Sequence, residues 1–346
     1  MRIGIIAPPW LPVPPPSYGG TEAVVDQLAR GLQRRGHDVL LVAHPDSTCP
    51  VEHACVVPRE DTARMGRGSI ELEHVVGAYE VVRSCDVVHD HTLAGPLHAA
   101  SLPDLTVVTT NHQPFDRTRN VVLGAVVPRV GLVAISRSHA ASTPLPVDAV
   151  IHHGVDVADF PFGRGTGEYV AVLSRMAPGK GVDRAINIAR RAGVPLKIAA
   201  KMREPAEVEW FEAHVRPHLG PQVEYLGEVG GDDKKALLAD AVALLNPILW
   251  REPFGMAMLE AMACGTPVVG CPHGAAPEIV LDGVTGFLRE DDDALVSALG
   301  RIDDLDRTWC RRRVEDEFST DRMVDRYVEV FERRRAMQPM GGATRG

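Results

Sequence analysis

Lysine is nearly missing from this chain. In 346 residues the first stands at Lys180, and arginine supplies almost all of the 37 cationic side chains. Acidic residues number 46 and the net charge is −9, so the chain as a whole lacks the basic balance of a nucleic-acid partner. Cysteine is sparse too, with six at positions 49, 55, 85, 264, 271 and 310 and none in a CxxC pair. No histidine cluster stands at zinc spacing, which argues against a structural metal and for reduced thiols in a cytoplasmic protein. No apolar run reaches the roughly 20 residues that cross a bilayer. The opening "MRIGIIA" is too short, and too soon followed by proline, to read as a signal peptide.

What is present is a soluble composition, 45% hydrophobic and 24% charged, in a chain too long for one ordinary core. Two domains of about 150 residues are expected. Short apolar runs alternate with longer amphipathic ones. "IGIIA" (3–7), "DVLLVA" (38–43), "DVVH" (86–89), "LTVVTT" (105–110) and "GLVAIS" (131–136) read as strands buried on both faces, as in a parallel sheet. Between the first two, Val24, Val25, Leu28, Ala29 and Leu32 follow the spacing of one helical face, and Gly36 closes that helix.

The rhythm restarts after "DFPFGRGTGE" (159–168), whose Pro and Gly content reads as a linker. Beyond it, "YVAVLS", "PLKIAA", "VEYLG", "VALLNP" and "TPVVG" read as a second set of strands. Two βαβ domains in tandem follow, with ligands expected beyond the carboxyl ends of their strands, in a cleft. The chain closes with "STDRMVDRYVEVFERRR", a helix capped by Ser319 or Thr320 with Met323, Tyr327, Val330 and Phe331 on one face. The expected domains are 1–160, 161–318 and a final helix over 319–336, followed by a disordered tail over 337–346.

Two segments carry chemistry. After the strand "YVAVLS", Arg175 and Lys180 stand on a strand-to-helix loop. Beside a helix N-terminus such a pair makes a diphosphate site, or else two solvated surface cations. In "REPFGMAMLEAMACGTPVVG" (251–270), Pro253-Phe254-Gly255 turns into a helix from about Met256 to Ala263, stopped by Gly265 and Pro267. That helix is apolar or small on every side except at Glu260. A buried carboxylate is costly unless hydrogen-bonded. A ribose diol would satisfy it, with the N–H groups of Gly255 and Met256 on phosphates; a bridge to a backbone or Arg group within the fold would satisfy it equally.

These residues resemble a known family. E-P-F-G-x-x-x-L-E-A-M-A-x-G-T-P-V-V, with seven residues between Glu252 and Glu260, is similar to the signature of family 4 retaining glycosyltransferases. "LSRMAPGKG", "AAPEIVLDGVTGFL" (275–288), "YGGTEAVVDQLARGLQRRGHDV" and the closing "FST…Y" helix support it, so the resemblance covers almost the whole chain. It implies the GT-B fold: an α/β protein of two Rossmann-like domains with parallel sheets facing across a cleft, the last helix crossing back to the N-terminal domain. Position by position, it implies that Arg175 and Lys180 hold a donor diphosphate and Glu260 the ribose hydroxyls. Glu252, with the Phe254-Gly255-Met256 backbone, would contact the donor sugar and phosphate. Gly19 and Gly20 match the glycine turn that approaches the phosphates and the acceptor. His112 matches a histidine beside the donor sugar. The implied reaction moves a sugar with retention, by front-face substitution, asking the protein for positioning and charge stabilisation.

Several features depart from the common pattern. His153 in "IHHGVD" stands where many relatives have Asn, and Lys201 in "AAKM" where a glycine-rich turn is common. Lys201 reads either as a further cation near the donor or as a surface residue. Six prolines stiffen the loop "PPWLPVPPPSY" (8–18), whose Trp10 and Tyr18 line an acceptor site or simply pack the loop. "HDH" (89–91) and the acidic run 290–293 look like metal motifs but read as a strand end and a solvated turn, so no metal or other cofactor is expected. The expected partners are a nucleotide-sugar donor, UDP-linked by the family's usual habit, and a small acceptor; no nucleic acid and no integral membrane segment are expected. A chain this short for the family favours a compact acceptor, as in orthosomycin (avilamycin-type) antibiotic assembly. The rivals are a pseudo-glycosyltransferase or non-catalytic nucleotide-sugar binder, and an NAD-linked dehydrogenase. The last is disfavoured because the first strand runs into a proline loop rather than G-x-G-x-x-G.

Overall fold

The computed structural model describes residues 1–59 and 64–338; of the tail read as disordered, residues 339–346 lie outside the described residues. The chain divides into two units. Unit 1 holds Met1–Pro15, Gly19–Gly154 and the chain from Thr320 on, and unit 2 holds Pro16–Tyr18 and Val155–Ser319.

Unit 1 is built on seven parallel strands: β1 (Arg2–Ile6), β2 (Asp38–Val42), β3 (Glu52–Ala54), β4 (Val87–Asp90), β5 (Val107–Thr110), β6 (Gly131–Ala134) and β7 (Ala149–Val150). They lie in the order β3-β2-β1-β4-β5-β6-β7. The five predicted runs are strands here; the additions are the short edge strands β3 and β7, which carry too few apolar residues to announce themselves. The strands are apolar on both sides because both faces are covered. On one face Val75, Ala78 and Tyr79 of the helix Gly68–Val81 join Ile6, Leu40, Val42 and Val88 in a single core.

Unit 2 repeats the plan with β8 (Val170–Arg175), β9 (Leu196–Lys201), β10 (Val223–Gly227), β11 (Ala243–Asn246), β12 (Val268–Gly270) and β13 (Gly286–Leu288), all parallel, in the order β10-β9-β8-β11-β12-β13. In each sheet the winding reverses beside its first strand, between β1 and β4 and between β8 and β11. Connections leave in opposite directions there, opening a crevice at the carboxyl ends, where this class of sheet binds ligands. In unit 2 those ends are Arg175 and Asn246.

The segment 159–168, read as a linker, is bonded into unit 2. Gly163, Gly165 and Gly167 donate to the carbonyls of Cys264, Ala239 and Asp240, and Arg307 donates to Gly163 O at 3.0 Å. A Cβ on Gly163 would fall 1.9 Å from Ala239 O, so glycine is required by contact rather than by flexibility. The division falls instead between Gly154 and Val155, where Val155 already pairs with Phe318 of unit 2 (N to O, 3.0 Å).

The final helix, Thr320–Met337, belongs to unit 1 and buries Met323, Tyr327, Val330 and Phe331 as the sequence predicts, with Thr320 and Val324. It lies on the helix Gly20–Arg34. Thr320 Oγ1 donates to Gln27 Oε1 at 2.9 Å, and Arg35 reaches Asp325 at 2.9 Å. The approach is closest at Gly31, where a Cβ would stand 2.5 Å from Val324 Cγ2. Helix propensity favours Gly31→Ala by about 1 kcal/mol. Overpacking against a β-branched neighbour costs about 1–3 kcal/mol and should win. Gly31→Ala is therefore expected to lower the urea midpoint of unit 1, and Gly31→Ala with Val324→Ala to be more stable than the two single losses add to. Strict additivity would place the strain elsewhere.

Candidate functional site

In unit 2 the carboxyl edge of the sheet gathers three carboxylates and gives each its own cation. Arg175, the last residue of β8, donates from Nε to Glu207 Oε1 and lies 3.6 Å from Glu204. Glu207, on the helix Pro205–His214, is buried. Burial alone would raise its carboxyl, but the backbone N–H groups of Arg203 and Glu204, at 2.9 and 3.1 Å, and the Arg175 guanidinium overcome this and hold it below its ordinary range. Arg175 is thus fixed from behind while 40% of its side chain stays exposed.

Lys180 ends the 3₁₀ turn Pro178–Lys180 that follows β8. Gly181 then takes φ 67° and opens the helix Val182–Ala192; a Cβ there would lie 2.3 Å from Pro247 O, so both conformation and contact demand glycine. Lys180 Nζ donates to Glu252 Oε2 and stands 4.7 Å over the Trp250 ring. Glu252 is held through its own backbone: Ala275 N donates to its carbonyl at 3.0 Å, and Gly274, at φ 62°, presses within 2.2 Å of that oxygen where a Cβ would be.

The helix predicted at 256–263 is present as Met256–Ala263, opened by Gly255 at φ 107° with no side chain capping its first turn. Phe254 is core, edge-on to Phe318 at 6.2 Å, so only its backbone faces the loop chemistry. Glu260 is 8% exposed and accepts from Lys234 Nζ at 2.7 Å, across from the helix Gly231–Asp240. For one oxygen of Glu260 the structure has a bridge inside the fold, as in the second reading, but to the Lys234 ammonium rather than to a backbone or Arg group. Lys234 and Glu207 were not foreseen. Lysine rarity, which singled out Lys180, applied equally to Lys234.

The acidic run 290–293 is a helix start rather than a solvated turn. Asp291 caps Asp292–Leu299 by accepting from Ala294 N at 2.8 Å, and Asp292 and Asp293 receive Arg184 and Arg191. Among the described residues no group of histidines, cysteines and carboxylates has the arrangement of a metal site.

In unit 1, Gly19 and Gly20 open the helix Gly20–Arg34, again without a side-chain cap. A Cβ on Gly19 would meet Pro15 Cβ at 2.7 Å, whereas one on Gly20 would meet nothing within 4 Å, leaving an open approach to that helix start. His112, just past β5, is half-buried and joined to other histidines through both ring nitrogens. Its Nε2 lies 2.8 Å from His91 Nδ1 and its Nδ1 lies 3.3 Å from His153 Nε2. Neutral imidazoles carry one N–H each, so the three N–H groups must all run the same way along the chain. The tautomer of His112 is thereby set by its neighbours. The His89 ring lies behind, tilted against His91 at 4.1 Å, with its Nε2 2.8 Å from Thr110 Oγ1, itself 3.0 Å from the Tyr327 hydroxyl. "HDH" is this cluster's root, and His153, 41 residues from His112, completes it without any local pattern to announce it.

A family model described as Glycosyltransferase Family 4 matches residues 18–159, and one described as Glycosyl transferases group 1 matches residues 167–303. The phosphatidyl-myo-inositol mannosyltransferase of Mycolicibacterium smegmatis is 30% identical over 328 residues, spanning 85% of this chain and 82% of that protein. The O-antigen chain mannosyltransferase C of Escherichia coli is 25% identical over 359 residues, spanning 92% and 95%. Among solved structures, AviGT4, a glycosyltransferase involved in avilamycin A biosynthesis, matches with a TM-score of 0.76 and 28% identity over 97% of this chain and 98% of that one.

Unit 1 carries an acid liability. Burial holds His74, His89, His91, His112, His139 and His153 below their ordinary range, His112 down to about 3 and His74 and His139 to about 4. Native unit 1 refuses these protons, while the unfolded chain binds them as pH falls below about 6.5. Stability is then full above about pH 6.5 and declines towards pH 4, each imidazole removing up to about 1.4 kcal/mol per pH unit. Asp90 works against this. Burial raises its carboxyl to about 6, so native uptake of one proton stabilises below that pH, but it is one group against several. Hydrogen exchange compared at about pH 7.5 and about pH 5, corrected for intrinsic rates, should show unit 1 losing protection. Unchanged protection in unit 1 would mean that these rings titrate normally.

Proposed function

The chain belongs to glycosyltransferase family 4 and has the two parallel-sheet Rossmann-like units of the GT-B fold; from that premise we propose that it moves a hexosyl group, with retention, from a nucleotide diphosphate sugar to a hydroxyl of a small acceptor. The observation that carries the proposal is the placement of Arg175 at the end of β8 and of Lys180, paired with Glu252, on the turn after it, where the winding of the unit 2 sheet reverses. Each cation there spends only part of its capacity on a protein carboxylate. A guanidinium has five N–H donors and an ammonium three, which leaves donors for a diphosphate while Glu207 and Glu252 keep both side chains in place. The uncapped first turn at Gly255-Met256 offers backbone N–H groups to the same anion. Glu260, with one oxygen on Lys234, keeps the other for ribose hydroxyls.

The reaction asks for stabilisation of charge on the departing diphosphate, and Arg175 and Lys180 supply it without a divalent metal. The leaving phosphate takes the acceptor proton. His112, neutral and fixed in tautomer, is assigned to the sugar side. UDP is the first donor to test, GDP and ADP the others. The names of the mannosyl-transferring relatives support mannose as a sugar to try, and the likeness to AviGT4 supports an acceptor of the antibiotic-biosynthesis kind.

Two measurements test this. Turnover should survive excess chelator; loss that magnesium or manganese restores would remove the metal-independent mechanism. Glu260→Gln should weaken nucleoside diphosphate binding about ten- to a hundredfold, the worth of a hydrogen bond to a charged group. It should also lower the melting temperature, because Lys234 loses its partner. The discriminating ligand is the 2′,3′-dideoxy nucleotide, which should bind wild type poorly and tell wild type from variant far less well. A variant that melts early yet binds both nucleotides as before would make Glu260 a purely structural residue.

A further inference from the structure

The sequence offers Tyr18 as acceptor-side or loop packing, yet the segment Pro16–Tyr18 belongs with unit 2. A clasp holds it there. The Ser17 hydroxyl and the Tyr18 N–H, the latter at 3.1 Å, both donate to Glu228 Oε1, and Arg203 braces that carboxylate at 2.8 Å. Gly230 admits the segment, since a Cβ there would lie 2.5 Å from Pro16 O and 2.6 Å from Ser17 Cα. The ring is pinned by Lys201, whose Nζ stands 5.0 Å from its centre. Lys201 ends β9 and is paired in register with Arg175 at the end of β8. Tyr18 therefore lies at the carboxyl edge of the unit 2 sheet.

Its hydroxyl is the unusual feature. The chain has five tyrosines. Those at 79, 169, 225 and 327 place their hydroxyls within 3.0 Å of Asp90, Leu237 O, Ala200 O and Thr110. Tyr18 alone has no protein partner for its hydroxyl among the described residues. The charges acting on it are those of the candidate donor site: Glu252, Arg175, Glu260 and Glu207. Burial, reinforced by Glu252, pushes the phenol up to about 12, so it keeps its proton and acts as a donor. Glu252 and Glu260 already hold Lys180 and Lys234 and do not need that donor.

We infer that Tyr18 is a donor-binding residue whose hydroxyl donates to a non-bridging oxygen of the nucleotide's diphosphate, beside Arg175 and Lys201. This rests on the reading of unit 2 as a nucleotide-sugar site. A phenol O–H whose ring lies against Lys201 and which feels the charge of Arg175, the two paired at adjacent strand ends, is suited to an anionic oxygen rather than to a sugar hydroxyl. The clasp through Glu228 orders the segment before the ligand arrives, which lowers the cost of binding.

The test uses the full chain and Tyr18→Phe, which keeps the ring over Lys201 and removes only the hydroxyl. Titration calorimetry with UDP, GDP, ADP and uridine is compared with wild type, and melting curves check that the variant folds. The expected result is a loss of about ten- to a hundredfold for the nucleoside diphosphate that wild type prefers, with uridine unaffected. If wild type binds a diphosphate and Tyr18→Phe binds it equally well, the hydroxyl is not a ligand and the inference is overturned alone. Equal losses for UDP and uridine would place Tyr18 at the base or ribose and overturn it as well. If wild type binds none of these nucleotides, the reading of unit 2 falls and the inference falls with it.

Discussion

A carboxylate taken out of water must be matched, and the second unit is arranged around that requirement. Glu207, Glu252 and Glu260 come from three different helices and loops, and each ends on a cation from another element: Arg175 from β8, Lys180 from the turn after it, Lys234 from the neighbouring helix. Removing either member of such a pair leaves an uncompensated charge, so the pairs tie the sheet edge to the helices above it. The same pairs fix where the remaining N–H donors point. In the proposed function, positioning by the fold and recognition of an anion would be one arrangement rather than two.

Unit 1 meets the burial of polar groups differently. Burial disfavours the charged form of its imidazoles at 74, 89, 91, 112, 139 and 153, and each shares at least one ring nitrogen with another imidazole, with Thr110 or with a backbone carbonyl. A neutral ring in a chain of N–H···N bonds has one orientation and one tautomer at a time. Under the role proposed for His112 on the sugar side, that neutrality would matter, because an added positive charge would oppose the one developing on the sugar. Asp90 belongs to the same economy of charge: the Tyr79 hydroxyl, at 2.7 Å, and Thr92 hydrogen-bond a carboxyl that burial has raised.

Much of this architecture is legible in the residues. Continuous apolar runs such as "IGIIA" and "YVAVLS" give the central strands because only a two-sided parallel sheet buries every side chain in them. The last helix shows its buried face in the spacing of Met323, Tyr327, Val330 and Phe331. The edge strands β3, β7 and β13 are not legible, being three, two and three residues long and defined by a neighbour's hydrogen bonds. The segment 159–168 misleads for a related reason: its glycines look like freedom but are needed where backbone meets backbone, as at Gly163 against Ala239.

By itself, then, the sequence determined the alternation of strand and helix, the tandem of two units, and the position of Arg175, Lys180 and His112 at or just past strand ends. Those follow from local periodicity, glycine placement and motif spacing, all of which act within a few turns of chain. Only the tertiary structure decided the partners. Lys234 meets Glu260 across 26 residues, His153 meets His112 across 41, and Ser17 meets Glu228 across 211. No pattern along the chain encodes such pairings, because they depend on how far apart the fold leaves two side chains and on how little water remains between them.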